Sequence, residues 1–395
     1  MPGFDLIGWL VVAAFGLTAL AFVLETLFGL LPAASTPGFS TSGVNPSTVV
    51  LIPAHDEGLI LRDSIARLKE NLPEGVTILI VADNCSDDTA AAARSAGAEV
   101  AERNDPDRRG KGHALAFGRD QLRGSPPDVV LVMDADCRTD TASIARLAGA
   151  AMTLQAPVQA RNLLEASLAA PPMVQISNFA FMVKNHIRQL GASRLGGAAV
   201  LTGTGMAFPW KIFEKVVFSG GSVEDLDLTV ELIGQGHEPI FVPAATVLSA
   251  PAALSAAVMQ RDRWERGFLS SARHALPHIL GSFAKTRRPA LLLLALHLLT
   301  PPLALLMIAA IGVTALLGLL YGLGSMSGGP LAVQLCIVAA ITILVAASWL
   351  TRGRDYLSAS TFLKIPVYIV WKLPIYARML TGAEKRWNRT DRTVE

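Results

Sequence analysis

The residue types best suited to chemistry stand in a few short clusters. Asp134-Ala135-Asp136 closes the apolar run DVVLVMDAD. Two carboxylates at i and i+2 on a strand end can both reach one divalent cation. A hard cation such as Mg2+ or Mn2+ takes oxygen ligands and shares them with substrate phosphates. Glu224-Asp225, in SVEDLDL, offers a carboxylate that could take a proton from an acceptor hydroxyl. Acidic residues in a first helical turn are also common for dipole reasons alone. Gln260, Arg263 and Trp264, in QRDRW, fall on one side of a helix. Arg263 could hold a diphosphate through two parallel hydrogen bonds, and Trp264 could stack on a sugar ring. An interfacial helix with Trp at the headgroup level would carry the same residues.

Three weaker signals accompany these. Asp83-Asn84 ends a second apolar run and could hydrogen-bond a base or ribose edge; an Asx turn would use the same pair. Lys111 sits in Arg108-Arg109-Gly110-Lys111-Gly112, whose glycines allow close backbone approach to phosphate. The spacing is not that of a P-loop, and a solvated basic loop would look alike. Thr202-Gly203-Thr204-Gly205 is a small-residue turn between apolar runs, with room for a bulky substrate.

These clusters need strand ends to hold them. Segment 48–58, TVVLIPAHDEG, is a β-branched run that ends in polar residues, as a buried parallel strand would. Residues 59–72 have helical spacing at Ile60, Leu61, Ile65 and Leu68. A second strand is predicted at 76–82, a helix at 89–96 and a further strand at 129–133. Strands alternating with helices predict a doubly wound, mostly parallel α/β sheet. In such sheets ligands bind beyond the carboxyl ends of the strands, where the polar clusters fall.

The chain has 395 residues, of which 51% are hydrophobic and 17% charged. An ordinary globular domain has roughly 25% charged residues. The apolar excess gathers at the two ends. Residues 6–24 carry no charge and are long enough to span a bilayer; a cleaved signal peptide fits less well, because no basic region precedes them. A block at 290–323 is broken by Pro301-Pro302, and 331–350 is a further span. The loop 324–330 between them is uncharged, whereas Lys285, Arg287, Arg288, Arg352 and Arg354 flank the hairpin. The positive-inside rule then places the central domain in the cytoplasm. Residues 362–380 are apolar and aromatic but hold Lys364, Lys372 and Arg378. They read as an amphipathic interfacial segment with basic groups at the headgroups. Net charge is +2, with no basic tract for nucleic acid. Cys85, Cys137 and Cys336 have no CxxC spacing, which excludes a disulfide framework and suits a reducing compartment.

In order, VVLIPAHDE, VADNCSDDT, RRGKGHAL, MDAD, TGTG, VED and QRDRW resemble glycosyltransferase family 2. The likeness is greatest to the membrane branch that contains cellulose, hyaluronan and poly-N-acetylglucosamine synthases, and it covers residues 49–264. It implies a GT-A fold and an inverting, metal-dependent transfer from a UDP-sugar. Under it, Asp83 and Asn84 meet the nucleotide, Lys111 lies near its phosphates, Asp134 holds the nucleotide and Asp136 the metal. Thr204 and Gly205 border the acceptor cleft. Asp225, with Glu224, supplies the base. Gln260 and Arg263 bind the donor diphosphate, and Trp264 lies under the acceptor sugar. Val-Glu-Asp stands where the polymerases often have Thr-Glu-Asp, and there are fewer spans than in cellulose synthases.

The expected layout is a transmembrane helix at 1–31, a cytoplasmic catalytic domain at 48–250 and interfacial helices at 251–288. A transmembrane hairpin at 289–350 and the amphipathic segment at 355–395 follow. The expected activity is β-linked extension of a polysaccharide at the inner membrane, with an export protein as a possible partner. The alternative is transfer of one sugar to a polyprenyl-linked or other lipid. Nucleotidyl transfer would need a Gly-rich loop after the first strand, where IPAHDEG stands instead. A dead scaffold would be expected to lack one of the carboxylates.

Overall fold

The computed structural model describes residues 4–32, 45–218, 224–249 and 254–380. The side chains of Glu224, of residues 254–262 and of 378–380 lie outside that description, so the expectations for Glu224 and Gln260 lie outside the described residues too.

Among the described residues eight strands form one sheet: β1 (Thr48–Ala54), β2 (Val76–Asp83), β3 (Glu99–Arg103), β4 (Val129–Val132), β5 (Cys137–Thr139), β6 (Val158–Leu164), β7 (Met206–Pro209) and β8 (Ile240–Ser249). Their order is β3-β2-β1-β4-β7-β6-β8-β5. The pairs β1–β2, β1–β4, β2–β3 and β6–β8 are parallel, and β4–β7, β6–β7 and β5–β8 antiparallel. The sheet is therefore mixed, with a parallel half in which the polar residues from His55, Asp83 and Asp134 onward stand at the ends of β1, β2 and β4.

Alternation along β1 explains why both faces are covered. Val50 and Ile52 join Leu61 and Ile65 of helix Gly58–Glu70 on one face. Val49 and Leu51 join Leu115 of helix Lys111–Leu122 on the other. Gly118 lets that second helix lie close, since a Cβ there would come within 2.6 Å of Leu51 Cδ1.

Among the described residues three helices are long and apolar enough to cross a membrane: Asp5–Leu30, Leu303–Gly322 and Gly328–Gly353. The predicted break at Pro301-Pro302 separates the shorter apolar helix Pro289–Leu299 from Leu303–Gly322. The helix 172–194 joins the spans to the sheet, with a π-helical stretch at Val183–Arg188. It meets the N-terminal helix through glycines: a Cβ on Gly29 would clash with the Ile187 carbonyl, and one on Gly191 with the Glu25 carbonyl. Beside this contact Arg188 and His297 both bond the buried Glu25, at 2.7 and 2.9 Å.

The C-terminal segment differs from its sequence reading at Lys372, and the expectation for Arg378 lies outside the described side chains. Lys364 is exposed, as a headgroup lysine would be. Lys372 is 3% exposed and donates to both Glu265 carboxylate oxygens, at 3.0 and 2.9 Å. Tyr376 Oη donates to the same carboxylate at 2.8 Å. Helix Ile365–Leu380 thus clasps helix Leu254–Thr286 one residue beyond Trp264. A sequence pattern shows that a lysine is on a polar face, but not that a distant glutamate lies opposite it.

Candidate active site

Asp134 follows β4, and its backbone N–H donates to Thr204 Oγ1 at 3.1 Å. Lys111 opens its helix after Gly110, whose φ of 128° turns the chain into it. The Lys111 ammonium makes a short ion pair with Asp134 and donates to the Gly203 carbonyl at 2.8 Å. Asp225 reaches the same point from helix Glu224–Gln235. A Cβ placed on Gly203 would lie 2.7 Å from Asp225 Oδ2 and 3.1 Å from Lys111 Nζ. Gly203 has φ +79°, a conformation other residues rarely adopt. Two carboxylates and one ammonium therefore converge on a bare glycine.

The electrostatics follow from this crowding. Burial, and then the Asp134 charge, hold the Asp225 carboxyl above the usual carboxylate range; Lys111 and Lys184 pull it back. Burial disfavours the Lys111 charge, but Asp134 and Asp225 more than offset that and push its pKa up. Lys184, on the π-helical stretch, is lowered to about 8 by burial and by Arg188. Its ammonium stands 4.5 Å from the centre of the Phe268 ring.

The sequence did not single out Lys184, which is embedded in an apolar helix. Gln159 was also missed. Its side chain accepts from Thr202 N at 3.1 Å and donates to the Thr204 carbonyl at 3.0 Å, which fixes the TGTG turn. Thr204 and Gly205 are both buried, and Gly205 packs on Val247 and Ala160. Gly203 is the member of that turn that meets the charged groups.

Donor atoms of Asp134, Asp136 and Cys137 lie within 4.8 Å of one another. Cys137 is a poor ligand: burial, and then Asp134 and Asp136, push its thiol up to about 12. Its sulfur lies 3.4 Å from both Ser249 Oγ and Thr204 Oγ1. Asp134 already carries the Lys111 ammonium. The donor set that remains for a hard cation centres on the Asp136 carboxylate, with substrate oxygens to complete it. A second group, His55, Asp56 and Cys85, lies at the ends of β1 and β2. There His55 Nδ1 donates to the Asp83 carbonyl at 2.7 Å, and Asp56 accepts from Ser86 N at 2.6 Å. These bonds shape the loop and leave His55 Nε2 3.8 Å from Asp56 Oδ2.

Asp83 is buried and accepts from Arg103 Nη1 at 2.6 Å and from Asn84 Nδ2 at 2.9 Å. Asn84, at φ +52°, accepts from Asp105 N at 2.7 Å. The parallel pairing of β2 with β3 sets Asp83 opposite Arg103. On helix Leu254–Thr286, Arg263 is exposed. Trp264 is half-buried against Phe181, with ring centres 5.4 Å apart.

A single mixed sheet with carboxylates past its strand ends, backed by apolar helices, is the architecture of a GT-A-type transferase. Residues 46–267 match the family described as glycosyltransferase like family 2, and the chain belongs to that family. It is similar to the probable glycosyltransferase YdaM of Bacillus subtilis (strain 168), 27% identical over 260 residues. That match covers 62% of this chain and 59% of YdaM, so it spans less than two thirds of that relative. Among solved structures it is similar to the mannosyltransferase PcManGT of Pyrobaculum calidifontis, solved in complex with GDP-Man and Mn2+. There the TM-score is 0.53 at 16% identity, over 96% of this chain and 99% of that one. That likeness speaks for the fold, including its apolar helices.

Proposed function

We propose that the protein is an inverting, membrane-embedded glycosyltransferase that moves a sugar from a UDP-sugar to an acceptor hydroxyl. The observation that carries this is the convergence of Asp225, Lys111 and Asp134 around Gly203. Asp225 takes the acceptor proton as the hydroxyl attacks the anomeric carbon from the face opposite the diphosphate. Its raised pKa makes it a stronger base than an ordinary carboxylate. Lys111 and Asp134 hold the donor, Arg263 and Gln260 its diphosphate, and Asp83 with Asn84 the nucleotide end. Asp136 would hold Mg2+ or Mn2+, which when bound supplies positive charge against the leaving diphosphate. Trp264, stiffened by Phe181, forms the acceptor wall; Thr204 and Gly205 act from behind it by fixing the turn.

The short uncharged loop and the basic flanks of the hairpin support a cytoplasmic catalytic domain at the inner membrane. Helix Leu254–Thr286 then lies along that surface, and the acceptor approaches from the membrane side. The first reading of the acceptor is a growing β-linked polysaccharide, as in the synthase branch that the motifs resemble. One observation favours transfer to a lipid-linked acceptor instead: the described spans pack directly on one another, with Phe15, Phe22, Leu306, Ala310 and Ile341 buried between them.

Purified full-length enzyme, given labelled UDP-glucose, UDP-N-acetylglucosamine, UDP-galactose or GDP-mannose, tests both steps. Release of UDP from one of the UDP-sugars, with a polymer ladder or one lipid-soluble product, is expected. Exclusive use of GDP-mannose would overturn the UDP assignment. EDTA should abolish release and Mn2+ or Mg2+ restore it; full activity in EDTA would remove the metal role of Asp136.

A further inference from the structure

A second charged site lies away from the reacting groups, where the sheet meets the end of the last span. Arg161 on β6 is half-buried, and its Nη2 donates to Thr246 Oγ1 at 2.6 Å. Its Nε is buried and, among the described residues, has no hydrogen-bond partner. Arg352, at the end of helix Gly328–Gly353, is exposed and donates to His186 Nε2 at 2.8 Å. His186 can accept that bond only when neutral. Burial, and then Arg161 and Arg352, push its pKa down to about 3. The Arg352 charge also bears on Arg161, and the Arg194 charge on Arg352. Among the described residues neither arginine has an ion pair with a carboxylate; Asp140 bears on Arg161 only through its field.

Two like charges gathered around a neutral imidazole, with a buried N–H left over, are an unfavourable arrangement unless an anion completes it. Guanidinium groups match phosphate in both charge and fork geometry. The surroundings indicate where the phosphate comes from. Trp349 stacks on Phe362 at 4.6 Å, Arg354 lies over the Trp349 ring, and Leu363 and Lys364 are exposed. An aromatic pair with basic side chains at the end of a span marks the headgroup level.

We infer that Arg161 and Arg352, with His186 beside them, form a phosphate-binding site for the headgroup of an anionic membrane lipid. The site is separate from the transfer chemistry, and its test does not depend on the proposed reaction. Full-length protein in detergent is offered phosphatidylglycerol, phosphatidylcholine or inorganic phosphate, and bound lipid is read by native mass spectrometry alongside the unfolding temperature. Phosphatidylglycerol should be retained and should raise the unfolding temperature. Arg352→Gln should weaken retention by about fivefold, the effect of one basic group at a charged membrane surface. Arg354→Gln, outside the pair, should not. Arg161→Gln should act like Arg352→Gln; if it does not fold, the exposed Arg352 carries the test. A response to inorganic phosphate alone, lost in Arg352→Gln, would support the phosphate site with a soluble source. Equal retention and stabilisation in wild type and Arg352→Gln would overturn the proposal.

Discussion

Two clusters of charge, one buried and one half-buried, differ in how completely they are satisfied. In the first, Glu25 accepts from Arg188 and His297 at 2.7–2.9 Å, and every partner is buried. In the second, Lys111 and Lys184 face Asp225 and Asp134, and the Asp225 carboxylate is still driven above its ordinary range. The first cluster is closed and joins three helices. The second leaves strain on one carboxylate, which favours taking up a proton. Perturbation that the structure does not compensate is what a reacting group requires, and compensation is what a structural lock requires.

The comparison breaks most sharply at Asp225. Asp225→Asn should lower nucleoside diphosphate release by about 10²–10⁴-fold, while the unfolding temperature stays level or rises, because a disfavoured charge is lost. Glu25→Gln should do the reverse. Removing one partner of a buried ion cluster costs about 3–5 kcal/mol, read as a lower unfolding temperature in detergent, while the folded fraction keeps its turnover. If Glu25→Gln lowered turnover and left stability alone, the closed cluster would have to be counted as catalytic.

Gly203→Ala sharpens the same contrast. The new Cβ would press on Asp225 and Lys111 in a backbone conformation that resists it, and misplacement of that order costs up to about 10²-fold in kcat. The smallest effect concerns pH. Activity should rise through the Asp225 ionisation, with its acid limb above the ordinary carboxylate range. Lys184 lowers the Asp225 pKa, so Lys184→Met should move the limb of kcat/KM to higher pH. An unmoved limb would detach Lys184 from the site.

Much of the parallel half of the sheet was legible. β1, β2 and β4 are continuous apolar runs, and the break at Pro301-Pro302 needed only the proline rule. β3 and β5 were not legible: EVAER is mixed in polarity, and CRT spans three residues. The site divides in the same way. The types of Asp134, Lys111 and Asp225 suggested their chemistry. Their meeting on Gly203 did not show, because Lys111 and Gly203 are 92 residues apart and only the sheet brings them together. Lys372 was read from its helix alone, and its partner Glu265 is 107 residues away.

That last distance bears on biosynthesis. The helix of Arg263 and Trp264 is made long before Lys372 and Tyr376, which fasten it through Glu265. Two apolar spans lie between them in the chain. The fastening of that helix is thus completed only after both apolar helices have been translated. A chain halted before Lys372 would have its sheet residues complete, but Glu265, one residue from Trp264, would lack the two groups that fasten it.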